Sequence, residues 1–462
     1  MSEQRELLSR TIDHIANYRE QLDDARVGPI VPFAEIVAGF DYPLGDEGTD
    51  PAQVVEELVA AAAPGLTASA GPRYYGFVTG GSLDAALCAD LLVSGWDQLA
   101  FNAASAPACI AAEVVAARWL KELLMLPAGA SVGFVPGGQG ANTVSLAAAR
   151  HHVLAQAGWD DADGLFGAPP IRVFAGAERH ATIDRSLRLL GIGQNAIHEI
   201  AVNGQGAMDT AVLATAFADE AAPQPTIVCA QAGNVATGAF DDLTAICTTA
   251  REHGAWVHVD GAFGLWAAAS PATRSLVHGI ELADSWGCDG HKWLNVPYDS
   301  GFAICAHPTA HANAMRYTAS YLTGQDAPPV LAGADLTMES SRRARGMAVW
   351  AAIRSLGRHG VANLVEQCCA HARRFARQLG EADGIEIAND VVLNQVLVRF
   401  GDDDTHTDRV VEAVQADGTC WTGGATWRGR RFMRISVSNW STTDDDVDRS
   451  VQAMLKLHAD VT

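Results

Sequence analysis

The chain has 462 residues, 48% hydrophobic and 19% charged, a composition that suits a folded globular protein with one large domain and a smaller one. Its 32 basic against 54 acidic residues give a net charge of −22, which repels nucleic acid and anionic membranes and excludes both as main partners. Nine scattered cysteines show no CxxC pair and no metal-like spacing, the start lacks a signal-peptide pattern, and no apolar run approaches the roughly 20 residues of a membrane span, so a cytoplasmic protein is expected.

Residues 1–65 read as a helical arm, with polar periodicity over 5–22, a proline-punctuated link over 29–43 and a second helix over 52–63. Such an arm is too thin to fold alone and needs a surface on the main domain or on another subunit. Residues 70–110 are loop-rich, and Phe77, Val78, Thr79 and Phe101 there suggest the wall of a partly apolar pocket. From 111 to 310 helices (111–126, 141–155) alternate with strands (132–135, 171–175, 226–230, 255–259, 282–286, 301–305), which predicts a mostly parallel sheet. Helices over 343–356 and 361–379 lead into strands over 391–400 and 432–437 and a last helix from Thr443. The organisation predicted is α/β: an arm over 1–65, a large domain over 66–345 and a small α+β domain over 346–462.

The glycine turn from Gly137 to Asn142 passes from strand to helix, so the N–H groups of Gly138, Gln139 and Gly140 can face a phosphate. There is no GK[ST], which excludes a nucleotide P-loop; a turn of this kind alone is as often only a tight connection. His180 follows the strand over 171–175, and Asn234 follows the strand over 226–230, so both reach the sheet's carboxyl edge. Asp260 ends another strand there, and Lys292 follows 32 residues later in a loop with Gly287 and Gly290.

An acid and a lysine at that edge suit pyridoxal 5'-phosphate. A carboxylate about 4 Å from the ring nitrogen contributes roughly 4 kcal/mol at an effective dielectric near 20, or about three pKa units, enough to keep the nitrogen protonated. The protonated ring is an electron sink for bonds broken at a substrate's α-carbon, and the lysine amine can form the Schiff base. Either residue alone is more often a helix cap or a solvated side chain.

In this order the motifs resemble the group II pyridoxal-phosphate-dependent decarboxylases, relatives of the aromatic-amino-acid and glutamate decarboxylases. They are Gly137 to Asn142, His180, Ala232-Gly233-Asn234 with Thr237-Gly238-Ala239, His258 to Ala262, Asp284-Ser285 with His291-Lys292-Trp293, and Ser341-Arg342-Arg343. The resemblance implies a type I aminotransferase-like fold with a mostly parallel seven-stranded sheet. It also implies a homodimer wrapped by the N-terminal arm, with the site at the subunit interface and the Phe101 loop and the segment before Ser341 lining the neighbour's pocket. Implied catalytic residues are Lys292, His180 and Asp260; implied cofactor contacts add Gly138, Gln139, Gly140, Asn234, Ala262, Ser285 and His291.

Three departures stand out. Asn234 replaces a frequent threonine, and Asp289 replaces a frequent asparagine, where its charge is unfavourable beside a phosphate unless it turns away. The stretch 331–336 lacks the tyrosine that reprotonates the substrate carbon in aromatic-acid decarboxylases; Tyr321 is the last tyrosine of the chain and a candidate substitute. Decarboxylation of an L-amino acid to CO₂ and an amine is the leading reading. A carbon–carbon lyase or an oxidative aldehyde synthase is the alternative within this chemistry, and a cofactor-free binding relative is the alternative outside it.

Overall fold

Three helices open the chain. The first, α1 (Glu3–Glu20), starts behind Ser2, whose hydroxyl accepts the Arg5 N–H, and is followed by α2 (Phe33–Phe40). Next, α3 (Pro51–Ala62) starts behind Asp50, whose carboxylate accepts the Ala52 and Gln53 N–H groups at 3.0 and 3.2 Å, with a proline where no N–H is needed. Neither α1 nor α2 buries a side chain, and Ile30 and Phe33 are 74% and 79% exposed, so the arm's apolar surface is left open.

This computed structural model describes residues 2–218, 224–316 and 333–461. The chain divides into one unit of Met1–Thr79, Arg374–Ala388 and Leu397–Thr462, and another of Gly80–Arg373 and Asn389–Val396.

The second unit begins with α4 (Asp84–Trp96) and α5 (Pro107–Leu123) and is built on one sheet. Its strands are β1 (Ser131–Val135), β2 (Arg172–Gly176), β3 (Ile197–Ile200), β4 (Thr226–Gln231), β5 (Trp256–Asp260), β6 (Ser285–Asp289) and β7 (Gly301–Cys305). They lie in the order β1-β7-β6-β5-β4-β2-β3, with β7 antiparallel to both neighbours and the other pairs parallel. The carboxyl ends of β1, β2, β4, β5 and β6 therefore share one edge. Every residue of β1 and of β4 to β7 is buried, as expected of strands covered on both faces. Two helices, α6 (Gly138–Gln156) and α7 (Ala181–Leu189), close one side, with Leu146, Val153, Ile183 and Leu187 packed among Val173, Ile227 and Trp256.

A second sheet takes β8 (Ile385–Ile387), β9 (Gln395–Phe400), β10 (Gly423–Trp427) and β11 (Arg430–Ser436) in the order β10-β11-β9-β8. The long helical segment Arg345–Gly380 breaks at Gly357, where φ is 62°, close to the expected division into two helices.

The strand expected over 282–286 is displaced. Leu282 ends a 3₁₀ turn, and β6 starts only at Ser285, because Asp284 uses its carboxylate to accept the Val257 N–H at 2.7 Å. The strand consequently runs on through Asp289. The edge strand β3 and the short strands β8 and β10 were not predicted; the two middle residues of β3, His198 and Glu199, are polar and exposed, so no apolar run marks them.

Candidate active site

The end of β5 delivers Asp260 into the interior at 6% exposure. Its Oδ2 accepts an Asn142 side-chain N–H at 3.1 Å, and its Oδ1 accepts the Ala262 N–H at 3.3 Å. At the neighbouring strand end Asp289 is 1% exposed, with Oδ2 3.1 Å from Lys292 Nζ. Burial disfavours the charged amine of Lys292, but the carboxylates of Asp289 and Asp260 outweigh it and hold the amine above the usual lysine range. The backbone packs closely there: a Cβ on Gly80 would lie 1.8 Å from the Lys292 carbonyl oxygen, so only glycine fits.

The sequence contains three lysines. Lys121 donates to the carbonyls of Ala128 and Ala130, and Lys456 is 75% exposed beside Asp460, which leaves Lys292 as the lysine at this edge.

Between β1 and α6 the turn is free of side-chain caps. Gly137 has no side chain to offer, and the first intrahelical bond runs from the Ala141 N–H to the Gly137 carbonyl, so the N–H groups of Gly138, Gln139 and Gly140 precede the helical ladder. The Gln139 side chain turns back to the Ser186 hydroxyl at 2.8 Å. His180 caps α7: its Nδ1 accepts the Thr182 N–H at 3.3 Å and lies 2.8 Å from the Thr182 hydroxyl, which places the ring hydrogen on Nε2.

One cavity of about 150 Å³ joins these groups. Its lining includes Gly138, Gln139, His180, Asp260, Ala262, His291 and Lys292, which sequence reading had singled out, together with Asn142, Thr182, Gln231, Gly233, Val235, Phe263 and Asp289. His291 accepts the Ser300 N–H on Nδ1 and stacks on Tyr298 with ring centroids 4.3 Å apart.

Other expected residues stand elsewhere. Asn234 is 1% exposed with its amide already committed: it donates to the Glu178 carbonyl at 3.0 Å and accepts the Ala236 and Thr237 N–H groups. It shapes the loop after β4 through its neighbours. Ser285 is fully buried at the start of β6, hydrogen-bonded to Trp256 Nε1 and His258 Nδ1. Asp289 does not turn away from the glycine turn; a Cβ on Gly138 would lie 3.1 Å from its Oδ2, and its charge is matched by Lys292.

Phe101 accepts the Ala334 N–H on its carbonyl at 3.1 Å, which pins the turn Gly333–Leu336. In the first unit, Phe77 and Val78 both hold φ near +55°, a rare conformation for bulky residues. The Phe77 ring packs on Trp421 at 5.3 Å, and Val78 and Thr79 are buried. Tyr321 lies outside the described residues.

The chain matches the pyridoxal-dependent decarboxylase conserved domain over residues 35–400. It belongs to that family. The protein is a pyridoxal-phosphate-dependent carboxy-lyase acting on an amino acid. Among relatives, it is 28% identical to a 4-hydroxyphenylacetaldehyde synthase of Rhodiola rosea, covering 95% of this chain and 91% of that one. It is 27% identical to tryptophan decarboxylase 1 of Oryza sativa subsp. japonica, covering 98% and 93%. The solved structure of Oryza sativa TDC with PLP and tryptamine superposes with a TM-score of 0.92 at 24% identity, covering 100% and 98%, and shows the type I fold.

The cavity fits the cofactor on its own chemistry. It combines an amine, a carboxylate with lone pairs to spare, an imidazole and a helix start without a side-chain cap. No helix among the described residues is long and apolar enough to cross a membrane.

Proposed function

We propose that the chain decarboxylates an aromatic L-amino acid at this cavity, with Lys292 tethering the cofactor, Asp260 at its ring nitrogen, His180 and Ala262 beside its ring, and the N–H groups of Gly138, Gln139 and Gly140 at its phosphate. The observation that carries this is the convergence of Lys292, Asp260, His180 and the uncapped start of α6 on one cavity. Pyridoxal phosphate bound there supplies the electron sink for the bond broken at the α-carbon.

The protein's own groups do the rest. Among the described residues Asp260 Oδ1 accepts one long backbone hydrogen bond, so it is available to a protonated ring nitrogen. Lys292 must lose a proton before its nitrogen can act as a nucleophile; Asp289 Oδ2 at 3.1 Å holds the charged amine in place and favours that charged form. Phe263 and Val235 give the cavity an apolar wall, and no arginine lines it among the described residues. A distal substrate carboxylate would have no cation there other than Lys292, which favours an aromatic side chain over glutamate. The named tryptophan decarboxylase supports the same preference.

Residues 1–65, with their open apolar surface, are the proposed dimer contact, with the large domain at 66–345 and the small one at 346–462. Phe77, Val78, Thr79, Phe101 and Tyr321 are the proposed substrate contacts at the subunit interface, in a cytoplasmic enzyme. A panel of amino acids supplied to the purified protein tests the reaction. The expected products are CO₂ and an aromatic amine in equal amounts. An aldehyde with ammonia and peroxide, as an aldehyde synthase would give, or an aldehyde with glycine, would overturn it.

A further inference from the structure

Behind the cavity, four side chains with almost no exposure form a hydrogen-bond chain whose direction is fixed by their chemistry. The Trp256 indole can only donate, and its Nε1–H reaches Ser285 Oγ at 2.9 Å. The Ser285 hydrogen is then free for His258 Nδ1 at 3.0 Å. On the other side of that ring, His258 Nε2 lies 3.0 Å from Asn142 Oδ1. Asn142 must present its oxygen to His258, because its nitrogen faces the Asp260 carboxylate at 3.1 Å and the Thr182 hydroxyl at 3.0 Å. A carboxylate accepts only, so the histidine hydrogen sits on Nε2. The Thr182 hydroxyl, having accepted from Asn142, points its own hydrogen at His180 Nδ1 at 2.8 Å. The strand makes room for this arrangement, since a Cβ on Gly287 would lie 2.5 Å from Asn142 Oδ1.

We propose that Asn142 is the positioning residue of the site: oriented by the one-way donor chain from Trp256 through Ser285 and His258, it directs one amide hydrogen to Asp260 and the other to Thr182, and so fixes the carboxylate and the imidazole together. This rests on the reading of the cavity as the pyridoxal-phosphate site. Buried polar groups left unpaired are costly, and a core of the same volume could be apolar, so a chain that ends on two cavity-lining residues has a role beyond packing. His258 is fully buried, and burial keeps its ring neutral, as the donor order requires.

Two near-isosteric variants separate positioning from packing. The nitrogen of Gln in His258→Gln reaches the Nε2 position and can still donate to Asn142, whereas that of Asn in His258→Asn reaches only the Ser285 side. With purified full-length protein and pyridoxal phosphate, His258→Gln should keep cofactor affinity within about threefold of the parent. His258→Asn and Asn142→Ala should each lose about tenfold or more in affinity and in kcat, with KM changed less than about threefold. Equal affinity and kcat for the Gln and Asn variants of His258 would overturn the proposal.

Should His258→Asn fail to fold, Thr182→Val and Thr182→Ser carry the decision. The valine variant removes only the branch to His180 and should lower kcat, and the serine variant should restore it. An unchanged kcat in Thr182→Val would contradict the assignment. The parent protein separates this inference from the reading beneath it: if it takes up no pyridoxal phosphate, the cofactor reading fails. The donor order is then tested by the ¹⁵N shifts of His258 in the cofactor-free protein, where a neutral Nε2–H ring supports it and an Nδ1–H or charged ring refutes it.

Discussion

The two sheets treat charge in opposite ways. In the seven-stranded sheet Asp260, Asp289, His258 and Ser285 sit at strand ends or inside strands with 6% exposure or less; Asn142 and Trp256, which hydrogen-bond to them, are buried as well, and Lys292, beside Asp289, is one-fifth exposed. Around the four-stranded sheet Arg399 is buried, but its partner Asp404 is half exposed, and other charges form pairs at the rim: Arg430 with Glu386, Arg431 with Asp408 and Arg374 with Asp448, all at least a quarter exposed. Exposed pairs stabilise a fold by little and are screened by salt, whereas buried charges destabilise it unless each is matched. The first pattern is therefore retained for chemistry, and the second keeps a surface soluble.

The largest effects should follow from breaking the buried set. Lys292→Ala should abolish turnover and also strand Asp289 as an uncompensated buried charge, at a cost of about 3 kcal/mol in urea unfolding. Adding Asp289→Asn to that variant should recover most of the stability and none of the activity, so full additivity of the two changes would show that the pair does not interact. On the proposed placement of Asp260 at the ring nitrogen, Asp260→Asn should lower kcat by about a thousandfold, the equivalent of the roughly three pKa units its charge would supply there. A loss below tenfold would remove Asp260 from that role.

Acid should separate the sheets next. Burial pushes His258 and His311 down to about 4, while the unfolded chain takes up these protons near pH 6.5. Below 6.5 the unfolded state binds protons that the folded state refuses, so this stability is complete above 6.5 and disappears as the pH falls towards 4, by about 3 kcal/mol for each ring at most. His311→Gln, which can still donate to the Leu336 carbonyl, should flatten that slope. At the rim of the four-stranded sheet, Asp448 is held down to about 2 by Arg374 and Gln378. Its contribution is present above pH 4 and is lost only as the pH falls through 2, so it leaves the first window untouched. Smallest of all, Arg430→Ala should move Tm by less than about 2 °C.

Strand ends and loop glycines made much of this legible in sequence. Asp260 and Lys292 could be placed because an apolar run stops at one and flexible residues surround the other, and the helix after Gly137 was announced by its glycines. Residues that act from behind were harder to read. Asn142 belonged visibly to the turn motif, but nothing local shows that its amide crosses to the next strand end, and with Gln139 and Ser145 on the same face of the helix it does not stand out as a lone polar residue. Asn234 and Ser285 showed the opposite difficulty, since motif position brought them to the site and hydrogen bonding to Glu178, Trp256 and His258 removes them from its surface. For Asp289 the sequence showed the departure but not the counter-ion: Lys292, three residues away, comes within 3.1 Å of its Oδ2.

The most direct test of the central assignment is borohydride reduction of the protein loaded with pyridoxal phosphate, followed by peptide mass mapping of its three lysines. A phosphopyridoxyl mass on Lys292, with loss of the visible absorption band, is the expected result. An adduct on Lys121 or Lys456 instead, or none at all, would contradict it.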